Sequence, residues 1–171
     1  MRIVGILSAV MLVASPAAAR DYVPPYQPKS GVLSEGYKHS PQDDGTLRIV
    51  TEYRSNDPYV AVNVGLYRAA ELAREAGKPY VQILGGYGQS SWGVASGFVF
   101  ARPSDNPAAP ADCKAKRCYT ADVAKVFEEL GGADGQQPGV PRPTIDAQGR
   151  TVLQSGFGIG AIAWADRPRK R

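Results

Sequence analysis

The sequence predicts an α+β fold: one small sheet of about four to six strands, mostly antiparallel, with two helices packed on it. Three observations carry this. Short β-branched or aromatic runs recur along the chain, bounded by Gly, Pro, Asn or Asp. Two stretches instead place apolar residues at helical spacing and follow good capping residues. The sum is about four to six strands against two helices.

The chain opens with a stretch that reads as a secretory signal peptide over residues 1–19. Arg2 precedes a nearly unbroken apolar run from Ile3 to Val13, and Ala17 and Ala19 supply the small residues of a cleavage site. The run is too short to span a bilayer and no second one follows, so no transmembrane segment is expected. Cleavage near Ala19 predicts a periplasmic or secreted protein of about 150 residues, enough for one domain.

Residues 20–45 read as an extended Pro- and Tyr-containing arm, with Pro24, Pro25, Pro28 and Pro41 and no sustained period. The domain proper is expected over residues 46–165. Leu47 to Arg54 alternates and is β-branched, a strand. Asp57 caps a helix that starts at Pro58 and runs to Ala76. Val62, Leu66, Ala69, Ala70 and Ala73 form its apolar stripe, with Arg68, Glu71 and Glu75 on the solvated side, and Gly77 stops it.

Tyr80 to Leu84 is the next strand, Gly85 to Ser90 reads as a turn, and Val94 to Ala101 as a returning strand. A Pro/Ala/Asp loop follows to Cys118. Thr120 is the expected cap of a second helix of about ten residues, with Val123, Val126, Phe127 and Leu130 on one face. Gly131 and Gly132 end it. Thr144 to Val152 resembles a hairpin with Gly149 at a left-handed position, and Gly158 to Trp164 a last strand. There is no internal repeat, and residues 166–171 form a basic tail.

Net charge is +4, but Arg167, Arg169, Lys170 and Arg171 account for most of the excess. No basic stripe with interleaved aromatics argues for nucleic acid, and none is expected as partner. The tail suits contact with an anionic envelope surface or simply solvation. The two cysteines, Cys113 and Cys118, form a disulfide in an oxidising compartment. Free thiols and a metal site compete with that reading. The metal lacks partner ligands, and the spacing is too long for a Cys-x-x-Cys redox pair.

Catalytic sets are hard to assemble. His39 is the lone histidine and lies in the arm. Glu71 with Glu75, and Glu128 with Glu129, read as ion-paired solvated faces. Gly85, Gly86 and Gly88 lack the Gly-Lys-Ser/Thr ending of a phosphate loop. Gly158-Ile159-Gly160 has dinucleotide spacing but no room for the helix that should follow. No metal or cofactor is therefore expected. The nine tyrosines and Trp92 suit core packing, with a glycan- or peptide-binding surface as the alternative.

Arg48 to Asn56, together with Leu66 to Leu72, resembles a group of uncharacterised proteobacterial envelope proteins, many of them lipoproteins. Tyr26-Gln27-Pro28 and Tyr119-Thr120-Ala121 are similar too. The resemblance covers about half the mature chain and implies an envelope location and a shared fold, without an activity. Its signature residues here are Arg54, Asn56, Tyr67, Arg68 and Glu71, with structural roles: Arg68 and Glu71 pair to dock the helix on the sheet. The sequence departs from lipoproteins at Arg20, where a lipidated cysteine would stand.

The expected function is that of a non-catalytic module that binds an envelope partner. A hydrolase-type enzyme whose carboxylates or hydroxyls converge only in the fold is the alternative, and an inhibitor presenting the disulfide loop is a third.

Overall fold

A computed structural model describes residues 22–113, 118–145, 147 and 151–153. The fold is α+β, as expected: a five-stranded antiparallel sheet in the order β1-β2-β4-β3-β5, with two helices. The strands are β1 (Gly36–Pro41), β2 (Leu47–Tyr53), β3 (Tyr80–Ser91), β4 (Val94–Ser104) and β5 (Tyr119–Asp122). Helix α1 (Pro58–Glu75) links β2 to β3, and α2 (Val123–Glu129) follows β5 directly. A separate two-stranded sheet pairs β6 (Pro143–Ile145) with β7 (Thr151–Leu153), one residue beyond each end of the hairpin expected over Thr144 to Val152.

Helix α1 is specified at both ends. The Asp57 side chain accepts from the Tyr59 amide at 2.9 Å, and Pro58 occupies the first turn without wasting a donor. Gly77, at φ +68, donates its amide to the Arg74 carbonyl and closes the end. The buried stripe of Val62, Leu66, Ala69, Ala70 and Ala73 lies on one face of the sheet, against Ile49, Ile83, Val99 and Ala101. The small alanines bring the helix backbone close to the strands.

That closeness explains two glycines inside strands. Gly88 of β3 pairs across to Gly97 of β4, beneath the first turns of α1. A Cβ on Gly97 would sit 2.6 Å from the Ala61 backbone, and one on Gly88 would sit 2.9 Å from Pro58 and Val62. Beside them the buried Thr51 hydroxyl donates to the Ala61 carbonyl at 2.7 Å.

Three expectations are corrected. Residues 36–41, read as arm, form edge strand β1, paired with β2 from Gly36↔Glu52 to Pro41↔Leu47. An edge strand needs only one covered face and one partner, so it tolerates Lys38, Ser40 and a terminal Pro41. The stretch Gly85–Ser90, read as a turn, continues β3; the turn lies at Trp92 and Gly93 (φ 52 and 76). Thr120 sits in β5 and caps nothing; Asp122 caps α2, accepting from the Ala124 and Lys125 amides. The expected face of Val123, Val126 and Leu130 is buried, with Phe127 packed against it.

Cys113 and Cys118 are joined as a disulfide, with Cα atoms 5.8 Å apart. The signal peptide, Gly149, the Gly158–Trp164 strand and the basic tail with Arg167, Arg169, Lys170 and Arg171 lie outside the described residues. Among the described residues no helix is long and apolar enough to cross a membrane.

Candidate functional site

Residues 26–35 do not form a free tether. The Tyr37 amide donates to the Gln27 carbonyl at 2.9 Å, and the Lys29 amide donates to the Tyr37 carbonyl at 2.8 Å. Residues 27–29 thus add a short parallel pairing outside β1. The chain then turns through Ser30 to Ser34, where the Ser34 hydroxyl accepts from the Ser30 and Gly31 amides.

This docking buries a polar network on the helix side of β1. The Tyr26 hydroxyl donates to Glu71 at 2.5 Å. Glu71 also pairs with Arg68, which reaches Glu75 at 3.0 Å. The Arg68 guanidinium lies 5.1 Å from the centre of the Tyr37 ring. Tyr26 packs against Tyr37 and, edge-on, against Tyr67, which meets Phe127 in turn. The side chains of Arg68 and Glu71 are only 11% and 21% exposed. The solvated face expected for them is therefore a covered one: the rings of Tyr26 and Tyr37 close over it.

The environment fixes the protonation states. Burial, then the hydrogen bond and charge of Glu71, push the Tyr26 phenol far above its ordinary value, so it remains a donor. Burial works against the Arg68 charge, but Glu71, Tyr26 and Glu75 more than offset it and raise its value further. Burial, with Arg68 beside it, lowers His39, and Glu75 opposes the shift.

The opposite face of the same edge is cationic. Lys38 stands across from Val50, and Arg48 across from Ser40, so the two are diagonal neighbours roughly 7–8 Å apart. With the turn at Pro28–Val32 they border a groove of about 750 Å³ that wraps the β1 edge to Arg68 and His39. Glu52 is the single acid lining it, and Lys29 pairs with that carboxylate. Burial, and then the Lys38 charge, lower Lys29 below its ordinary value. Among the described residues neither Lys38 nor Arg48 has an acidic partner at ion-pair distance; Arg48 lies over the Phe98 ring.

The five signature residues do not gather in one place. Tyr67, Arg68 and Glu71 share the network. Arg54 and Asn56 are exposed at the other end of α1, about 15 Å away along the helix. There the Arg54 amide donates to Glu35 at 2.5 Å. Lys29 and Lys38 escaped the sequence reading because β1 did, and without β1 nothing linked them to Arg48 on the expected strand β2. The one available signal was Tyr26-Gln27-Pro28, whose tyrosine proves to be the clamp. Compared with known proteins, the chain matches no family model, no curated protein and no solved structure.

Proposed function

We propose that this is an exported, non-catalytic envelope protein whose cationic groove binds an extended, acidic segment of a partner protein. The observation that carries the reading is the pair Lys38 of β1 and Arg48 of β2, two cations on one face of the sheet edge with no acidic partner among the described residues. Strand alternation adds to it. Tyr37 turns its amide and carbonyl outward to residues 27–29, and His39, two residues on, points its own the same way. An extended chain can therefore continue the pairing while its carboxylates meet the two cations, a mode of strand addition.

The signal-like first 19 residues, the disulfide and the resemblance to envelope proteins support the location. The phenol of Tyr26, held protonated and occupied by Glu71, supports a non-catalytic role for the network beside the groove.

The test is fluorescence anisotropy with a labelled oligoglutamate peptide. Binding should weaken at least tenfold in Lys38→Glu/Arg48→Glu and collapse at about 0.5 M salt, where screening acts within about 4 Å. Absence of binding, or binding indifferent to both changes, would refute the reading.

A further inference from the structure

The hairpin tip between β3 and β4 is built against the preference of its own turn. Trp92 and Gly93 both have positive φ, the two-residue geometry that favours Asn-Gly. Tryptophan is a poor choice there, and it contributes no packing, because Trp92 is 100% exposed. A second tip is likewise apolar and exposed: Val32 and Leu33, in the turn before β1, are each 91% exposed.

The chain leading into each tip meets the same end of the sheet. β1 begins where β2 ends, with Gly36 opposite Glu52, and Tyr53 pairs with Ala95 just before the hairpin turn. Glu35, which follows the Val32–Leu33 turn, accepts from the Arg54 amide after β2. Glu35 also accepts from the Tyr22 hydroxyl at 2.9 Å, which brings Tyr22 to this same end. The hairpin tip carries no charge: Gln89, Ser90, Ser91 and Gly93 flank the tryptophan, and Val94 is exposed beside it. The exposed Arg54 stands behind the tips.

We propose that this end docks on a lipid bilayer, with Trp92 and the Val32–Leu33 turn inserted at the headgroup level. Two projecting apolar tips suit a fluid phase that closes around them, whereas a protein partner would need two matched pockets. Indole is suited to that depth, apolar in its rings and polar at its N–H. The uncharged hairpin sheds little hydration on insertion, and Arg54 is placed to meet lipid phosphate. This inference shares Val32 with the wall of the groove but draws nothing from Lys38 or Arg48.

The experiment uses the mature chain with Trp164→Phe, which leaves Trp92 as the sole tryptophan. Vesicles of phosphatidylcholine alone, and of phosphatidylethanolamine with phosphatidylglycerol, are added. We expect co-sedimentation, a blue shift of Trp92 emission and quenching by brominated acyl chains. Leu33→Ser should weaken partition about tenfold, or about 1.4 kcal/mol. Trp92→Asn, tested by co-sedimentation, restores the residue the turn prefers, so it should fold at least as well while losing partition. Unshifted emission with lipid, or undiminished pelleting of Trp92→Asn, overturns the proposal. Pelleting that depends only on anionic lipid and low salt, without a blue shift, also overturns it, as does a shift produced by envelope proteins but not by lipid.

Discussion

Replacing Arg68 by Met tests whether the covered network holds the arm and α1 together. Methionine keeps most of the aliphatic stem and removes the charge, so packing loss is small. What goes is the ion pair with Glu71, the longer reach to Glu75 at 3.0 Å, and the guanidinium over Tyr37 at 5.1 Å. A hydrogen bond to a charged group contributes about 1.5–3 kcal/mol, and a half-buried cation–π contact adds about 0.5–2. Against this stands relief from desolvating a guanidinium that is 11% exposed. We expect a net loss of about 2–3 kcal/mol, or about 5–10 °C in Tm for a chain of this size. Urea denaturation should show the midpoint falling with little change in slope. A cycle with Glu71→Gln should return a coupling of about 1–2 kcal/mol, because the glutamine still accepts from Tyr26. A loss below about 0.5 kcal/mol would place the pair among ordinary exposed ion pairs and refute the argument.

Three further outcomes follow from the fold. Gly97→Ala should cost about 2–3 kcal/mol in urea denaturation, since its Cβ would meet the Ala61 backbone at 2.6 Å and α1 would have to lift. His39 is the single histidine, and burial lowers its value in the folded chain. Its neutral form favours folding, so stability should be full above pH about 6.5 and fall as pH drops below it through the folded value; His39→Gln should flatten that slope in thermal melts between pH 7 and 5. Reducing the Cys113–Cys118 disulfide releases only a short loop from constraint and should lower stability by no more than about 2 kcal/mol, read by melts with and without reductant.

Elements whose instructions are local were legible in the sequence. Helix α1 announces itself through Asp57, Pro58, a 3.6-residue apolar stripe and Gly77, and β2 through strict alternation. Gly85, Gly86 and Gly88 were misread as a turn, because glycine signals one when only its chain neighbours are considered, whereas Gly97 was placed in its strand correctly. Gly88 and Gly97 are glycine for a reason 25–40 residues away, the close passage of α1 over the sheet. Strand β1 was missed for a related reason: its mixed pattern of Tyr37, Lys38, His39 and Ser40 becomes a strand only through its pairing with β2. The covered network depends on Tyr26 meeting Glu71 across 45 residues of chain. No period or cap in the sequence encodes such a meeting.

Strand alternation divides the work of the β1 edge between its two faces. Tyr37 turns toward α1, where its ring, with that of Tyr26, shields Arg68 from water. Lys38, the next residue, turns to the opposite face beside Arg48. The charge of Arg68 is already committed to Glu71 and Glu75, so it can add little to a ligand. Lys38 and Arg48 have no such commitment among the described residues, and their exposure means that little folding energy depends on them. Changes at Arg68 should therefore act on stability first, and changes at Lys38 and Arg48 on binding with the fold intact. The arm serves both faces: Tyr26 clamps the network, and Pro28 to Val32 form the wall of the groove. Loss of the clamp would loosen that wall, so a Tyr26→Phe chain that kept its melting point but lost peptide binding would still fit this division, whereas Lys38→Glu unfolding the protein would not.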